Sequence, residues 1–600
     1  MLQNVVFDGN TATYGGAVIS SDNLTIGGNS SFTGNKAEAG GALFAEGKLT
    51  LDTSEGDILF SGNTATNINE GGADVYLNNK ETAVVIEGDA NTLSMDGGFA
   101  GVGSIDKNGA NTLIFDQNAD NRLFVGDFTQ TAGTTLVYAD NFFGGKNTVA
   151  EGSVLHFAGN AAVNNLRLQT GGRLDLRRPG PFAANTVTIT DLISDGSAVV
   201  VLQTDGTDAD LLKITGSADG MITIDVRAAG SNPTKKEIEV VNAEEASGNA
   251  EFKLAGGKVD IGAHEYGLTH GEDANWYLET EGELTKTAKS VETMPALHLS
   301  IVNAGMNELR KRLGDLRSGN PDAPAGVWVR GYGKRLRVHE RTGARLNMLG
   351  MEGGIDAAAE LFGGRTYLGV MGGYLSANDI RVFQSGAPDA KGHTKTPVAG
   401  LYATWLPHNS PWFVDLTARH FWVHTDLDNL SGGNRTNGYD IKRGFWTFTA
   451  ETGRLFDFDA PRVLNAGSSL ITFEPKIELR YVHGEAKDFT TDNGEIGSID
   501  STSSLVSRFN LQTSYLPEGQ TSNWKLFLEL GLYNEWIGRT KVKFADTRLT
   551  TSDLSGLGFE ASLGFNAAVA ENAYCYGAVT LEAGEAYTSY QLNAGLRVSF

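Results

Sequence analysis

The chain ends in Tyr590-Gln-Leu-Asn-Ala-Gly-Leu-Arg-Val-Ser-Phe600, in which apolar and polar or small residues alternate without a break. Tyr590, Leu596, Val598 and Phe600 fall on one side of this alternation and Arg597 falls on the other. A period of two predicts a β-strand with one apolar and one wet face. The strand could be the edge of a soluble sheet or the closing strand of an outer-membrane barrel. This stretch alone leaves both structures open.

Eleven further alternating segments precede this strand. Along 524–536, for example, tryptophans and leucines alternate with Lys525, Glu529 and Glu535. The aromatic strand ends, the even number of long strands and the final Phe600 favour a membrane barrel over a soluble sandwich. The twelve predicted strands lie near 326–338, 346–360, 364–379, 394–407, 412–425, 438–456, 471–485, 502–517, 522–538, 555–571, 573–586 and 587–600.

The composition excludes several classes of protein. The 76 glycines accompany only 13 prolines and 20% charged residues, which fits many tight turns rather than collagen or a disordered tail. The net charge of −24 argues against nucleic acid as a partner. Cys575 is the single cysteine, so the chain forms no internal disulfide. No apolar run is long enough for a transmembrane helix. The start at Met1 shows no signal peptide, so an exported protein would have its true start upstream.

The first 80 residues contain a threefold repeat. Its first motif is Phe7-Asp-Gly-Asn10, Phe32-Thr-Gly-Asn35 and Phe60-Ser-Gly-Asn63, and its second is Gly15-Gly-Ala17, Gly40-Gly-Ala42 and Gly71-Gly-Ala73. In a parallel β-helix the phenylalanines would stack inward, the asparagines would form a ladder and each glycine pair would permit a corner with positive φ. Short predicted strands between Gly and Asn turns continue this rhythm to about residue 200.

These repeats resemble the polymorphic outer-membrane-protein class of autotransporters. Within residues 203–280, the stretches Asp205–Gly216, Gly262–Leu268 and Asn275-Trp-Tyr-Leu278 are similar to the C-terminal passenger segment of pertactin-like autotransporters. The resemblance implies an all-β protein. It would comprise an N-terminally truncated right-handed parallel β-helix passenger (1–202), a cap that assists passenger folding (203–285), a linker α-helix in the pore (286–325) and a 12-stranded antiparallel transmembrane β-barrel (326–600). Asp205, Asp208 and Asp210 lack the glycine and distal glutamate of an EF-hand, which favours solvated turn residues over a calcium loop.

Residues 286–317 change to a helical period and are predicted to begin or break near Pro295. The stretch Met306-Asn-Glu-Leu-Arg-Lys-Arg-Leu-Gly-Asp-Leu-Arg317 resembles the autotransporter linker helix. In some members an asparagine there attacks its own backbone carbonyl and releases the passenger. Asn307 matches the first residue of that family's Asn-Asn pair, but Glu308 replaces the second. We therefore interpret Asn307 as an ordinary helix residue, and we expect the chain to stay mostly uncleaved.

In the predicted barrel strands the charged residues alternate with the apolar ones and would face the pore. We therefore predict that acidic side chains line the pore opposite the basic end of this helix. We expect Tyr590, Leu596, Val598 and Phe600 to form a barrel-assembly signal. The predicted lumen and linker contacts are Arg310, Lys311, Arg312, Glu474, Glu478, Glu529 and Arg597.

No Gly-x-Ser-x-Gly, His-Glu-x-x-His or Gly-Asp-Ser-Gly motif is present, so neither an enzyme, a cofactor nor a metal site is predicted. The predicted function is self-export of a surface-displayed passenger that acts as an adhesin. The alternative is an enzyme whose catalytic part lies upstream of Met1. The resemblance implies outer-membrane lipid, the barrel assembly machinery, periplasmic chaperones and an unknown surface or host ligand as partners of a monomer.

Overall fold

The computed structural model describes residues 1–67, 72–229, 235–306, 323–339, 343–383, 388–431, 434–460, 469–517 and 522–600, without the side chains of 431, 434, 435 and 460. These residues form two compact units, Met1–Glu283 and Leu284–Phe600. We call them the N-terminal and C-terminal units. The finer division of the chain at residues 202, 285 and 325 stays a prediction.

The N-terminal unit contains short strands that stack in parallel. In chain order, β1 to β30 are Leu2–Gln3, Val6–Asp8, Val18–Ser20, Leu24–Gly27, Ser30–Thr33, Lys36–Ala37, Leu43–Ala45, Leu49–Asp52, Ile58–Ser61, Thr64–Ala65, Val75–Leu77, Ala83–Glu87, Thr92–Met95, Phe99–Lys107, Thr112–Phe115, Phe124–Gln130, Thr134–Val137, Lys146–Val149, Val154–Phe157, Ala161–Leu168, Arg173–Asp175, Thr186–Ser194, Ala198–Thr204, Leu211–Asp219, Met221–Ala228, Glu237–Asn242, Glu251–Leu254, Val259–Ile261, His264–His270 and Trp276–Glu279.

The strands of this unit form the coils of a parallel β-helix. One row runs β2, β5, β9, β13 and on to β27 with parallel pairing throughout. Two further rows, β1-β4-β8-β12 and β3-β7-β11, join at β14, whose first residues pair with β11 and whose last residues pair with β12. The buried apolar side chains of these rows form one continuous core. The predicted parallel solenoid is therefore confirmed.

The predicted phenylalanine and asparagine ladders are both present. Phe32 stacks between Phe7 and Phe60, with ring centroids 5.3 and 4.8 Å apart. In the second ladder, Asn35 Oδ1 accepts from the backbone nitrogen of Asn10 at 3.0 Å, and Asn63 Oδ1 accepts from the backbone nitrogen of Asn35 at 2.9 Å. Each coil thus satisfies polar groups of its neighbour with an identical side chain.

The corner glycines are confirmed, with one correction to the third motif. Gly15, Gly40 and Gly72 have φ values of 54°, 63° and 70°. The predicted alignment of Gly71-Gly-Ala73 with the earlier motifs is wrong by one residue, because Val75 pairs with Leu43 and so places Gly72 opposite Gly40. Asp74 therefore occupies the position that Ala42 has in the coil before it, where the backbone nitrogen of Ala42 donates to the Asp74 carbonyl oxygen.

Antiparallel strands end the parallel stack. β30 pairs antiparallel with both β26 and β29, and β28 pairs antiparallel with β29. The three candidate calcium residues lie earlier, near β23 and β24. Asp205 Oδ1 accepts from the backbone nitrogens of Thr207 and Asp208, and the buried carboxylate of Asp210 accepts from those of Asn185 and Gln203. Two of the three carboxylates therefore bind backbone donors, Asp205 within its own turn and Asp210 partly on the adjacent coil.

The C-terminal unit contains one helix and the long strands. Its elements are α1 (Lys286–Gly305) and, in chain order, β31 to β49, which are Ala325–Val338, Gly343–Leu361, Gly364–Phe383, Ala390–Pro407, Trp412–Ser431, Asn434–Arg454, Phe456–Ala460, Ser469–Gly484, Lys487–Thr490, Ile496–Ile499, Thr502–Leu516, Trp524–Glu535, Arg539–Thr540, Val542–Phe544, Thr547–Arg548, Ser552–Asp553, Gly556–Ala570, Ala573–Gly584 and Tyr587–Ser599.

Twelve long strands, counted over the described ranges, close into an antiparallel barrel. Neighbours in sequence pair with each other, β36 continues through the short β37 against β38, and β49 returns to pair with β31. Closure leaves no free edge, which is the requirement for spanning a membrane with strands. The predicted strand number and closing strand are confirmed.

The two ends of the barrel differ. At one end, which we call the short-turn end, the connections Phe362–Gly363 and Glu571–Asn572 have two residues each, and residues 408–411 form a connection of four. At the long-loop end, residues 485–501 and 536–555 contribute β39, β40, β44 and β45 to a small four-stranded sheet. Short periplasmic turns and longer extracellular loops are typical of outer-membrane barrels. The alternation did not predict this small sheet.

The prediction that the helix begins or breaks at Pro295 is wrong. α1 begins after Thr285, whose side-chain oxygen accepts from the backbone nitrogen of Ala288 at 3.0 Å, and it continues through Pro295 to Gly305. The N-cap fixes the start, and packing of a helix that is buried along most of its length offsets the one backbone donor that proline lacks. Over the described residues, no helix is both long and apolar enough to span a membrane.

Candidate functional site in the barrel lumen

Helix α1 lies inside the barrel and contacts the inner faces of its strands. Lys286 Nζ donates to the carbonyl oxygen of Leu430 at 3.1 Å and lies 3.6 Å from Asp389 Oδ1. One turn further, Ser290 Oγ is 2.9 Å from the hydroxyl of Tyr439. His298 Nε2 is 3.0 Å from Thr425 Oγ1. These polar contacts orient the helix along the pore.

The last turn of α1 is held by two arginines of the barrel wall. The carbonyl oxygen of Gly305 accepts from Arg330 Nη2 at 3.3 Å and from Arg419 Nη1 at 3.0 Å. Glu352 Oε2 joins both cations, at 2.7 Å from Arg330 and 3.6 Å from Arg419. Positive charge is favourable at a helix C-terminus, where carbonyl groups lack helical partners. Gly305 also lacks space for a side chain, since an added Cβ would lie 2.7 Å from Phe421.

The side chain of Arg597 is buried on the lumen side of β49, and its described partners belong to the barrel wall. Its guanidinium donates to both carboxylate oxygens of Asp356, at 2.5 and 2.6 Å. The hydroxyl of Tyr402 donates to Asp356 at 2.6 Å and accepts from Trp328 Nε1 at 2.8 Å. This buried chain of contacts links the last strand to β31, β32 and β34 across the closing seam.

The predicted acidic lumen residues all face inward. Glu474, Glu478 and Glu529 have exposed fractions of 1%, 3% and 2%. Arg480 pairs with Glu478 at 2.8 Å, and Lys476 pairs with Glu529. Buried charges are costly unless opposite charges accompany them, and here the opposite charge comes from the same strand for Glu478 and from β38, two strands away, for Glu529. The inward positions of these three glutamates follow the alternation of buried and exposed residues along β38 and β42.

A second part of this network runs between more distant strands. Arg508 contacts Glu560 and lies 3.1 Å from Glu582, which in turn lies 2.5 Å from Lys334 Nζ. Neither these residues nor Arg330, Glu352, Asp356 and Arg419 were singled out from the sequence. The signal that could have found them is a charged residue at an inward position of an alternating strand.

The remaining predicted site residues divide into two groups. Asn307, Glu308, Arg310, Lys311 and Arg312 lie outside the described residues, so the predicted contacts between the helix end and the glutamates stay predictions. The assembly-signal residues lie at the seam. Tyr590, Leu596 and Phe600 point outward, and Phe600 exchanges two backbone hydrogen bonds with Ala325, at 3.0 and 3.2 Å.

Comparison with known families matches both units. Residues 327–580 match the autotransporter beta-domain, residues 163–280 match pertactin, and residues 4–22 and 29–46 match the Chlamydia polymorphic membrane protein repeat. The chain belongs to the autotransporters. As an autotransporter it has its barrel in the outer membrane and its passenger, the β-helix, on the cell surface. We use the term passenger for this β-helix from here on.

Three curated autotransporters illustrate the similarity. Autotransporter CRAC of Citrobacter rodentium (strain ICC168) is 27% identical over 78% of this chain and 30% of its own length. The autotransporter adhesin/invasin TibA of Escherichia coli O78:H11 is 24% identical over 92% of this chain and 63% of its own length. The BrkA autotransporter of Bordetella pertussis is 28% identical over 61% of this chain and 35% of its own length. This autotransporter chain thus spans less than two thirds of each relative.

Among solved structures, this autotransporter is similar to the transport unit of AIDA-I from Escherichia coli. The two have 15% sequence identity and a TM-score of 0.42, and the match covers 52% of this chain and 99% of that one.

Proposed function

We propose that the barrel exports its own β-helix passenger and keeps it at the cell surface. The observation that supports this most directly is that α1, the segment between the β-helix and the barrel strands in the chain, lies in the lumen and is held there at Ser290, His298 and Gly305. A chain that has passed outward through its own barrel would leave this segment in the pore.

Protease accessibility on intact cells tests export. We expect added protease to remove an epitope placed in an exposed turn of the passenger, such as at Gly152, from intact Gram-negative cells that express the full chain. A periplasmic marker protein in the same cells should stay intact. A passenger that becomes accessible only after the outer membrane is permeabilised would contradict the proposal.

We propose further that the passenger acts as an adhesin and not as an enzyme. TibA, which matches most of this chain, is named an adhesin/invasin, and stacked β-helix coils offer long faces for binding. Cells that display the full chain should adhere to host cells several-fold better than cells whose barrel displays an unrelated folded domain in place of residues 1–283. Equal adhesion of the two strains would contradict the role.

An enzyme-bearing autotransporter remains the second candidate. Serine protease EspC of Escherichia coli O127:H6 is 24% identical over 67% of this chain and 29% of its own length. Reading the gene upstream of Met1 distinguishes the two candidates, because an adhesin predicts more coil repeats and an enzyme predicts a catalytic domain.

Self-cleavage at Asn307 is proposed to be absent or slow, because Glu308 differs from the family's second asparagine. Mass spectrometry of membrane-free material should therefore find little passenger ending at Asn307. Abundant fragment that disappears in Asn307→Ala would contradict this proposal.

We also propose that Arg310, Lys311 and Arg312 lie near Glu474, Glu478 and Glu529. Replacing Arg310 and Arg312 by glutamate should then raise ion conductance in planar bilayers, and unchanged conductance would contradict the contact.

The proposed partners are outer-membrane lipid, the barrel assembly machinery, periplasmic chaperones and a surface or host ligand, with the chain itself a monomer. Depletion of the assembly machinery should reduce the folded barrel in the outer membrane. Unchanged levels of folded barrel after depletion would argue against that partner.

A further inference from the structure

Three arginines lie side by side on the outer surface of the barrel, toward its long-loop end. Arg337 of β31 is the direct cross-strand partner of Arg345 of β32, and Arg345 is the direct partner of Arg381 of β33. All three side chains are exposed, as is that of Arg335 two residues before Arg337. We call Arg337, Arg345 and Arg381 the arginine row. Like charges directly opposite each other destabilise a sheet, so the row costs stability unless an anion lies against it.

A β-bulge brings the third arginine into the row. In the first part of β33, near the short-turn end, the even-numbered residues such as Leu368 and Val370 point outward. In an uninterrupted strand the odd-numbered Arg381 would therefore point into the lumen. Between Ala377 and Ile380, however, β33 has one residue more than β32 and β34. The extra residue reverses the alternation, which directs Arg381 outward beside Arg345. Ile380 and Val382 are buried as a result.

The arginine row lies just beyond the apolar band of the barrel. Moving along β32 toward the long-loop end, the last outward apolar residues are Met351 and Leu349, and the next outward residues are Asn347 and then Arg345. On β49, the other neighbour of β31, the outward Tyr590 is the cross-strand partner of Arg335. Aromatic side chains mark the membrane interface of such barrels. The row is therefore at the level where lipid headgroups of the outer leaflet begin.

Few protein carboxylates neutralise these cations. Asp379 lies 2.7 Å from Arg381 Nε and is itself substantially exposed. Among the described residues no carboxylate forms a salt bridge with Arg335, Arg337 or Arg345, whereas Glu340 and Arg341 lie outside the described residues. The guanidinium of Arg345 lies 5.1 Å from the ring centre of Phe383, which leaves its polar edge for another partner. The row thus carries net positive charge at a lipid interface.

We propose that the arginine row binds the phosphate groups of a phosphorylated lipid of the outer leaflet. A guanidinium donates two parallel hydrogen bonds to a phosphate, and adjacent arginines on neighbouring strands hold such donors about 5 Å apart. The lipid's acyl chains would lie on the apolar surface next to the row, around Leu349 and Leu592. The occupant is a membrane lipid, and not free phosphate, because the row continues directly into that apolar surface.

Lipid titration of the full chain in detergent tests the proposal. The probes are a diphosphorylated lipid A, the same lipid with both phosphates removed, and inorganic phosphate alone. We expect the wild type to prefer the diphosphorylated lipid. The variant Arg337→Gln/Arg345→Gln/Arg381→Gln should bind it on the order of a hundredfold more weakly, since each basic residue near an anionic membrane surface contributes roughly fivefold.

A matched variant controls for net charge. Lys442→Gln/Lys487→Gln/Arg539→Gln removes three exposed cations at the same end of the barrel, two of which have carboxylate partners. This control should bind the diphosphorylated lipid as the wild type does. Heat-modifiable migration in gels confirms that both variants are folded. If the glutamine variant does not fold, the corresponding triple lysine variant keeps the charges and should bind with intermediate affinity.

Thermal melting provides a second readout that a merely structural role would not produce. Without lipid, the glutamine variant should melt at the same or a higher temperature than the wild type, because it lacks the like-charge contacts. With diphosphorylated lipid A the wild type should melt higher. Equal binding of both lipids by the wild type, equal binding by wild type and glutamine variant, or equal stabilisation by inorganic phosphate would overturn the proposal.

Discussion

Asp74 is a fully buried carboxylate in the passenger and accepts three hydrogen bonds. Its Oδ1 accepts from Asn63 Nδ2 at 2.9 Å, and its Oδ2 accepts from the backbone nitrogens of Gly97 and Gly98 at 2.7 and 3.0 Å. Burial raises the pKa of Asp74 from 3.8 to about 7, and these three donors act in the opposite direction. Asp74 ends the asparagine ladder that begins at Asn10.

The raised pKa of Asp74 predicts a pH-dependent passenger. Because the pKa is higher in the folded than in the unfolded chain, the contribution of Asp74 to the free energy of unfolding is greatest below about pH 4 and is lost as the pH rises through about 7. Asp74→Asn should remove this slope. The substitution should also lower the free energy of unfolding near neutral pH by about 1–3 kcal/mol. The reason is that the NH2 group of the new asparagine would face the donors of Asn63, Gly97 and Gly98.

Urea titrations of the full chain at several pH values, followed by proteolysis within residues 1–283, measure both effects. The exposed Asp116 provides the control, since Asp116→Asn should keep the wild-type slope. A slope that persists unchanged in Asp74→Asn would contradict the assignment.

The sequence predicted the ladders of the passenger but not Asp74. Phe32 and Asn35 belong to a motif that repeats at nearly constant spacing. Equivalent residues of successive repeats lie next to each other on adjacent coils, so the repeat alone predicts these contacts. The third glycine motif was aligned wrongly from the sequence. The backbone pairing of Val75 with Leu43 places the motif one residue away from the position that its sequence suggests. Only the register between coils shows that an acid enters the core there.

At the scale of elements, the end of α1 depends on Arg330 and Arg419. Arg419→Met removes the shorter of the two hydrogen bonds to the Gly305 carbonyl and leaves Arg330, among the described residues, as the cation paired with Glu352. We expect the helix end to move more freely and the barrel to conduct ions more often in planar bilayers. Arg480→Met is the control, because Arg480 pairs with Glu478 on its own strand and should leave conductance unchanged. Equal conductance of the Arg419→Met variant and the wild type would contradict this role.

The closing strand supports a second prediction at this scale. Phe600 has an exposed fraction of 58% and exchanges backbone hydrogen bonds with Ala325 at the seam. Deleting Phe600 removes both bonds and an outward aromatic group, so we expect little heat-modifiable barrel in the outer-membrane fraction. Phe362→Ala, an exposed aromatic at the same end, should assemble normally. Normal display by the Phe600 deletion would remove the proposed assembly-signal role.

The twelve strands could be predicted because the strands of a membrane barrel alternate between lumen and lipid over most of their length. The helix start could not, since Pro295 suggests a boundary whereas tertiary burial and the Thr285 cap extend the helix past it. The partners of Glu478 and Glu529 were also missed. The alternation shows which residues face the lumen, but it does not show which opposite charge each one contacts, on its own strand for Glu478 or two strands away for Glu529.

At the scale of the whole molecule, the two units differ in what stabilises them. The core of the passenger is a continuous stack in which each coil packs on its neighbours, so opening of one coil exposes the next. The barrel pairs every long strand on both sides and has no edge. We therefore expect urea to unfold the passenger of the full chain in detergent before it unfolds the barrel.

Proteolysis and heat-modifiable migration, measured on the same samples, follow the two units separately. At intermediate urea, residues 1–283 should be cleaved while the barrel still migrates as a folded species. A single transition with the same midpoint for both readouts would contradict independent unfolding.

The bulge divides β33 into two parts. In the first part the odd-numbered residues, such as Leu375, point inward, and in the second part the even-numbered residues, such as Ile380 and Val382, do. Loss of a single residue between Ala377 and Ile380 would leave a regular strand, because β33 has one residue more there than β32 and β34. Arg381 would still point outward beside Arg345, and Ile380 and Val382 would still point inward. The bulge therefore accommodates one additional residue without changing the face on which any later residue of the strand lies.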